Sequence, residues 1–279
     1  MLPELIAPSP HASRSGDGRR IAYIKRGLFS YTNVRTGEQL QRVFPGYHLE
    51  EIDLVADFLR LRKGIVLRNA FDILRYYASG LAARKLDFRL CFYRTPFIFH
   101  QIRRFVRERL EKRRGEFAFT FQTQSLFDAS VPGIPHFVYT DHAHLTNLQY
   151  PGFSRRELFT RGWIDLEREV YHNAEHVFVM SEHVRDSLRD GYQLPPEKCS
   201  CVFAGSNVDT RPVAQNNANF TNRTVVFVGV DWKRKGGPNL LKAFQLVLEK
   251  MPDARLVIVG SYPRVRHPNI EVLGRVSHE

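Results

Sequence analysis

The stretch Thr224 to Gly260, TVVFVGVDWKRKGGPNLLKAFQLVLEKMPDARLVIVG, decides how the chain folds. It opens on a short apolar run, Val225-Val226-Phe227-Val228, closed by Gly229. The turn that follows, Val230 to Gly237, is charged and ends in two glycines. Pro238 stands where a helix takes its first residue, since its missing N–H costs nothing there. Leu240, Leu241, Phe244, Val247 and Leu248 keep helical spacing, and Met251-Pro252-Asp253 stops the helix. Leu256-Val257-Ile258-Val259-Gly260 is a second unbroken apolar strand. Two such strands around an amphipathic helix predict a βαβ crossover in a parallel sheet. Ligands of these sheets bind at the carboxyl ends of the strands, where lysines, glycines and helix N–H groups suit an anionic group such as a diphosphate. The turn matches neither a Walker nor a dinucleotide glycine pattern, so a solvated basic loop on an ordinary α/β domain is the competing reading.

At 279 residues, 43% hydrophobic and 25% charged, the chain has globular composition and enough length to bury one large core or two smaller ones. Met1 to Arg20 lacks the basic start and apolar core of a secretory signal. No apolar run approaches the roughly 20 residues of a membrane span. Cys91, Cys199 and Cys201 have no metal or redox spacing, and a reduced, cytoplasmic protein is expected. Charge is concentrated: residues 60 to 114 hold 16 Lys or Arg against Asp72, Asp87, Glu108 and Glu111, a local +12 equal to that of the whole chain. Such a block suits a polyanion, an acidic ligand or a membrane surface at the inner face.

In chain order, residues 1–19 read as a loose tail. Arg20 to Lys25 is a first strand, followed by Gly27 and later Thr36-Gly37; Glu38 to Phe44 is a short helix and Leu49 to Val55 a second strand. Gly64 to Arg114 is mainly helical, with Val66, Ala70, Ile73, Leu74 and Tyr77 as a core-facing stripe. Within 98–114, Ile98, Ile102, Phe105, Val106 and Leu110 form one apolar face, and Arg103, Arg104, Arg107, Arg109, Lys112, Arg113 and Arg114 dominate the rest. That helix either packs its stripe on the domain or lies on anionic lipid. Phe117 to Phe121 and His136 to Thr140 are central strands, the second running into Asp141-His142-Ala143-His144. Histidines at i and i+2 with no third ligand spaced to join them predict no metal site. Arg155 to Tyr171 is a helix, His176 to Met180 a strand, Ser181 a helix cap and Cys201 to Phe203 a further strand. Residues 208–223 read as a linker between an N-terminal domain, 20–207, and a partial second domain, 224–279.

The Phe227 to Phe244 segment, the Pro-Asp-Ala-Arg-Leu-Val-Ile-Val-Gly that ends at Gly260, and Ala204 to Asp209 resemble the family-4 glycosyltransferases. The resemblance extends upstream to about Phe117. It implies a GT-B-like α/β fold, with a Rossmann-like N-terminal domain on the acceptor side and a second Rossmann-like domain that binds a nucleotide-sugar. It implies transfer of a sugar with retention, with the nucleotide-sugar as substrate and no separate cofactor. In this family a lysine at the position of Lys235 contacts the donor diphosphate, with Arg234, Gly236 and Gly237 beside it. A histidine after the strand that here ends at Thr140 lies by the donor sugar, and His142 matches it as the catalytic-site residue. A glycine-rich loop after the first strand faces the acceptor, which assigns Gly27 and Gly37. Two departures stand out. Val230 occupies a place where many members carry arginine. The family's glutamate pair, spaced by seven residues, falls beyond Glu279, so the second domain reads as truncated and in need of a complementing C-terminal half. The alternative function is a non-catalytic acceptor-binding or membrane-associating remnant. Nucleic acid is set aside, because no recognition fold or aromatic stacking set accompanies the basic block.

Overall fold

In the computed structural model, residues 18–29, 31–207 and 222–277 are described, and the chain divides into two compact units between Val208 and Asp209. Most of the expected tail and linker lies outside the described residues.

The first unit runs β1 (Arg20–Lys25), α1 (Thr32–Val43), β2 (His48–Asp53), a π-helical turn, α2 (Lys63–Ala82), α3 (Phe88–Cys91), α4 (Pro96–Leu110), β3 (Phe117–Thr123), β4 (His136–Thr140), α5 (Arg161–Asn173), β5 (His176–Val179), α6 (Glu182–Tyr192) and β6 (Cys199–Cys201). All six strands pair in parallel in the order β2-β1-β3-β4-β5-β6. The chain moves outward from β1 to β2, then crosses back to β3. The switch point of the sheet therefore falls between β1 and β3, and a doubly wound sheet opens its ligand crevice there.

Alternation along the strands sorts side chains onto two faces. On one face Ala22 and Ile24 pack on Ile98, Ile102 and Val106 of α4, and Val138, Val177 and Val179 pack on Trp163, Leu166, Val184 and Leu188. On the other face α1 covers Tyr23, whose hydroxyl donates to the Asn33 carbonyl at 3.0 Å. Farther along that face Phe119, Phe121, Phe137, Tyr139 and Phe178 are only half-buried. Helix starts follow their side-chain caps. Thr95 Oγ1 accepts from Ile98 N–H, Thr160 Oγ1 from Trp163 N–H, and Ser181 Oγ from Val184 N–H, each at 3.3 Å.

The sequence reading needs correction at two helix starts, one strand and one helix face. The helix expected from Arg155 starts at Arg161, where Thr160 caps it, after a single 3-10 turn at Arg155–Glu157. The strand expected at Cys201 to Phe203 is Cys199–Cys201, and Phe203 takes φ of +60°. The helix expected at Glu38 starts at Thr32, so the loop after β1 is short and Gly37 lies inside α1. The buried face of α2 is turned from the expected stripe: Asn69, Asp72, Ile73 and Tyr77 are buried and Leu74 is exposed. Asn69 goes inside because its amide donates to the Phe92 carbonyl at 2.8 Å while its side-chain oxygen accepts from the Thr95 hydroxyl. A satisfied amide can occupy a core position that apolar spacing alone assigns to carbon. The apolar stripe of α4 is buried in the core, and its basic face is partly paired: Arg103 with Asp128 at 2.8 Å, Arg109 and Arg113 with Glu50 at 3.5 and 3.2 Å. That helix presents charge, not an amphipathic face, to its surroundings.

The second unit is β7 (Thr224–Val228), α7 (Gly237–Lys250), β8 (Arg255–Val259) and β9 (Ile270–Gly274), parallel in the order β7-β8-β9. Phe244 of α7 packs on Leu256 and Ile258. The opposite face is open, with Val226, Val228 and Leu273 exposed. Parallel sheets ordinarily have both faces covered.

Candidate functional site

The carboxyl ends of β1, β3 and β4 bring chemistry-bearing residues together in the first unit. Gly27 follows β1 with φ of +58°, a conformation that suits glycine. Its N–H donates to Asp53 Oδ1 at 3.1 Å and its carbonyl accepts from Asn33 Nδ2 at 2.6 Å. Gly27 therefore shapes the loop. Gly37 has a different role: a Cβ there would lie 2.8 Å from Glu51 Oε1 and 3.5 Å from the Tyr23 ring, so it lets α1 approach the sheet.

His142 sits just past β4 with its backbone pinned from two sides. Its carbonyl accepts from Thr140 Oγ1 at 2.9 Å and from Ser125 Oγ at 3.3 Å. Burial holds its imidazole below the ordinary histidine range; Asp141 opposes this and Arg94 reinforces it. His144 belongs to the frame. Its Nε2 accepts the Phe159 N–H at 2.8 Å, and burial lowers its pKa to about 3. The two histidines thus do separate work, and no group of three His, Cys, Asp or Glu among the described residues could hold a metal ion.

The loop carrying His142 is anchored by Glu167 of α5, which sequence reasoning missed. This buried carboxylate accepts from Ser125 Oγ at 3.2 Å, His144 N–H at 3.1 Å, Tyr171 OH at 3.2 Å and Tyr192 OH. One side chain thereby joins the end of β3, the loop after β4, α5 and α6. Burial raises its pKa above the ordinary carboxyl range, and the hydroxyl and amide donors act against that rise.

Two arginines also missed from sequence stand by this crest. Arg26, directly after β1, donates from Nε to Gln124 Oε1 at 3.1 Å and lies 4.7 Å above the Tyr93 ring. Gln124 itself takes φ of +71° at the end of β3. Arg94, the neighbour of Tyr93, lies 4.7 Å above the Phe159 ring, and its buried Nε has no partner. Among the described residues neither guanidinium pairs with a carboxylate. Arg94's only sequence signal was membership of the basic block 60–114, and Arg26, outside that block, had none.

A concavity of about 580 Å³ in this unit opens between α1 and the aromatic face of the sheet. Leu40, Phe44, Phe121, Tyr139, Phe178 and Val202 make it largely apolar.

In the second unit the turn after β7 folds on itself. Lys235 N–H donates to the Asp231 carbonyl at 3.0 Å, Gly236 N–H to that of Lys233 at 3.1 Å and Gly237 N–H to that of Trp232 at 2.9 Å. Gly236 has φ of +82°, and a Cβ on Gly237 would lie 2.1 Å from the Trp232 ring. These glycines let the chain enter α7 tightly under Trp232, which packs edge-on against Phe227 at 5.0 Å. Arg234 is engaged with Asp231, Nε to Oδ2 at 3.4 Å. The Lys235 side chain is exposed and has no ion-pair partner among the described residues. Val230 is 70% exposed. Lys235, Arg234, Gly236 and Gly237 thus lie at one strand end of the second unit, and Gly27 and His142 at the corresponding end of the first sheet.

No family model and no curated protein matches the chain. Among solved structures 21 chains match. One is the crystal structure of TarM, aligned over 58% of this chain and 33% of that one at 14% identity and a TM-score of 0.41. This chain therefore spans about a third of the length of TarM, and a likeness at that level carries no argument about activity. The α/β class with a Rossmann-like first unit rests on the strand order and register described above.

Proposed function

We propose that the chain is a nucleotide-sugar-dependent glycosyltransferase, with the acceptor on the first unit and the donor diphosphate on the second. The observation that carries this reading is the exposed Lys235, with no ion-pair partner among the described residues, beside the Gly236-Gly237 entry of α7 at the carboxyl end of a parallel strand. A fixed cation there stabilises charge on a departing diphosphate. The Gly236 and Gly237 N–H groups are spent on turn carbonyls and shape the entry. Lys235 is the cation of this site; Arg234, paired with Asp231, contributes less. His142, whose pKa burial lowers, acts as a hydrogen-bonding group of the first unit's site rather than as a cation. The transfer proceeds with retention.

The test is sugar transfer from several nucleotide-sugars by the full chain. The expected result is activity that falls in Lys235→Ala and His142→Ala. Equal rates in these variants and the unaltered chain would overturn the reading.

A second reading, peripheral association with an anionic membrane at the cytoplasmic face, is favoured by one feature of α2. Leu67, Phe71, Leu74 and Ala78 form an outward stripe at helical spacing, bordered by Lys63, Arg68 and Arg75. A basic-flanked apolar stripe suits the lipid interface. No helix among the described residues is long and apolar enough to cross a membrane.

A further inference from the structure

We infer that Arg26 and Arg94 form an anion-binding crevice at the switch point of the first sheet, and that it takes a phosphate group carried by the acceptor. The acceptor part of this inference rests on the transferase reading; the anion site does not.

The case starts from position. The strand order reverses between β1 and β3, and Arg26 and Gln124 occupy the two strand ends that flank the reversal. Arg94 joins them from the loop before α4, next in sequence to the Tyr93 ring on which Arg26 lies. Both guanidiniums are held flat on aromatic faces, at 4.7 Å from Tyr93 and from Phe159. Stacking fixes the plane of each guanidinium. Arg26 spends Nε on Gln124 and Arg94 spends one terminal nitrogen on the Leu90 carbonyl, and the nitrogens left over are donors of the kind that match phosphate oxygens.

Charge bookkeeping elsewhere in the unit sharpens the point. Arg103, Arg109 and Arg113 are anchored to Asp128 and Glu50. Arg26 and Arg94 have no carboxylate partner among the described residues, although Glu167 is near Arg94. All of that carboxylate's bonds go to Ser125, His144, Tyr171 and Tyr192. Burial lowers the pKa of Arg94 most; Glu167 acts against this and the nearby Arg26 adds to it, while the Arg94 Nε is left without a partner. A buried cation with an unmatched donor is costly, and an oxyanion relieves that cost. Asp141, exposed beside His142, pairs with neither arginine among the described residues.

The phosphate could belong to a soluble ester or to a lipid headgroup. The experiment titrates the full chain with sn-glycerol 3-phosphate, with glycerol as the uncharged control, and with phosphatidylglycerol vesicles. Arg26→Gln and Arg94→Lys are compared with Arg161→Gln, an exposed arginine outside the crevice, and circular dichroism checks that each variant folds. If Arg94→Lys misfolds, Arg26→Gln alone decides. The expected result is saturable binding of glycerol phosphate or of the vesicles, weakened roughly tenfold or more by each crevice variant and unchanged in Arg161→Gln. Dependence seen only with vesicles assigns the phosphate to lipid, and dependence seen with the ester assigns it to a soluble acceptor. Binding of neither probe, or binding indifferent to both arginines, overturns the inference. If the arginines instead weaken only binding of uridine diphosphate, the acceptor assignment falls. Arginine-dependent phosphate binding in a chain that shows no nucleotide binding would leave the anion site standing and remove the transferase reading.

Discussion

Glu167 is the residue on which the first unit's functional end depends. Four donors converge on its two oxygens, so an amide in its place must turn an N–H toward at least one of them. Glu167→Gln is expected to cost about 1–3 kcal/mol, the usual penalty for a buried donor left unmatched, read as a lower urea midpoint at pH 7. An unchanged midpoint would mean the network is not formed. Acid should act on the same region through histidines. His136 and His144 are held neutral by burial, with pKa values lowered to about 4 and about 3. The unfolded chain binds their protons near the ordinary histidine value of about 6.5, so it holds more protons than the native state below that pH. Stability is therefore fully present above about pH 6.5 and falls as the pH drops toward 4. The raised pKa of Glu167 works in the opposite direction and offsets part of the loss. Thermal unfolding at pH 7 and pH 5 checks this, and His144→Gln should flatten the slope; a melting temperature equal at both values would contradict it. Little of this network was legible in the sequence. Glu167 lies in a helix whose charged residues look solvated, and only the fold brings Ser125, His144 and Tyr192 to it. The position of His142 just past a strand was legible, because the run His136 to Thr140 ends there; its role was implied only by the family resemblance.

At the scale of elements, the strands were the legible part. β1 matches its expected span residue for residue, and the crossover at β7-α7-β8 stands where its apolar runs and proline put it. Helical faces were harder. α2 has apolar residues on two sides, and the choice between them is made by Asn69 and its two hydrogen-bond partners, which lie 23 and 26 positions away. Spacing within one helix cannot report that. The outward stripe left by this choice makes a prediction: Leu67→Glu and Phe71→Glu should abolish sedimentation with anionic vesicles while leaving the melting temperature within about 1–2 °C, since exposed positions contribute little stability. Binding should also fade with salt, at very roughly 1 kcal/mol for each basic residue near the surface. Retained binding in both variants would remove α2 from the membrane face. The turn before α7 carries a separate test. Gly237→Ala drives a methyl into the Trp232 ring, and overpacking of this kind costs about 1–3 kcal/mol. Hydrogen exchange should show faster opening of β7 and α7 with the first unit unchanged; uniform exchange across the chain would show that Trp232 yields.

For the whole molecule, two α/β units each present ligand chemistry at the carboxyl ends of parallel strands. In the first, the chemistry is Arg26, Arg94 and His142 at a switch point; in the second, Lys235 above a glycine-lined helix entry. The parallel α/β class followed from apolar runs alternating with amphipathic helices. The convergence of Arg26 on Arg94 did not, because it depends on a crossover that joins residues far apart in sequence. The proposed activity stands or falls on the second unit's hold on a nucleoside diphosphate. The most direct measurement is amide hydrogen exchange of the full chain with and without saturating uridine, guanosine or adenosine diphosphate. At least one of the three should slow exchange across residues 231–240, and Lys235→Ala should abolish that protection. If none of the three protects this segment, or if protection survives Lys235→Ala, the donor site is not where this account puts it.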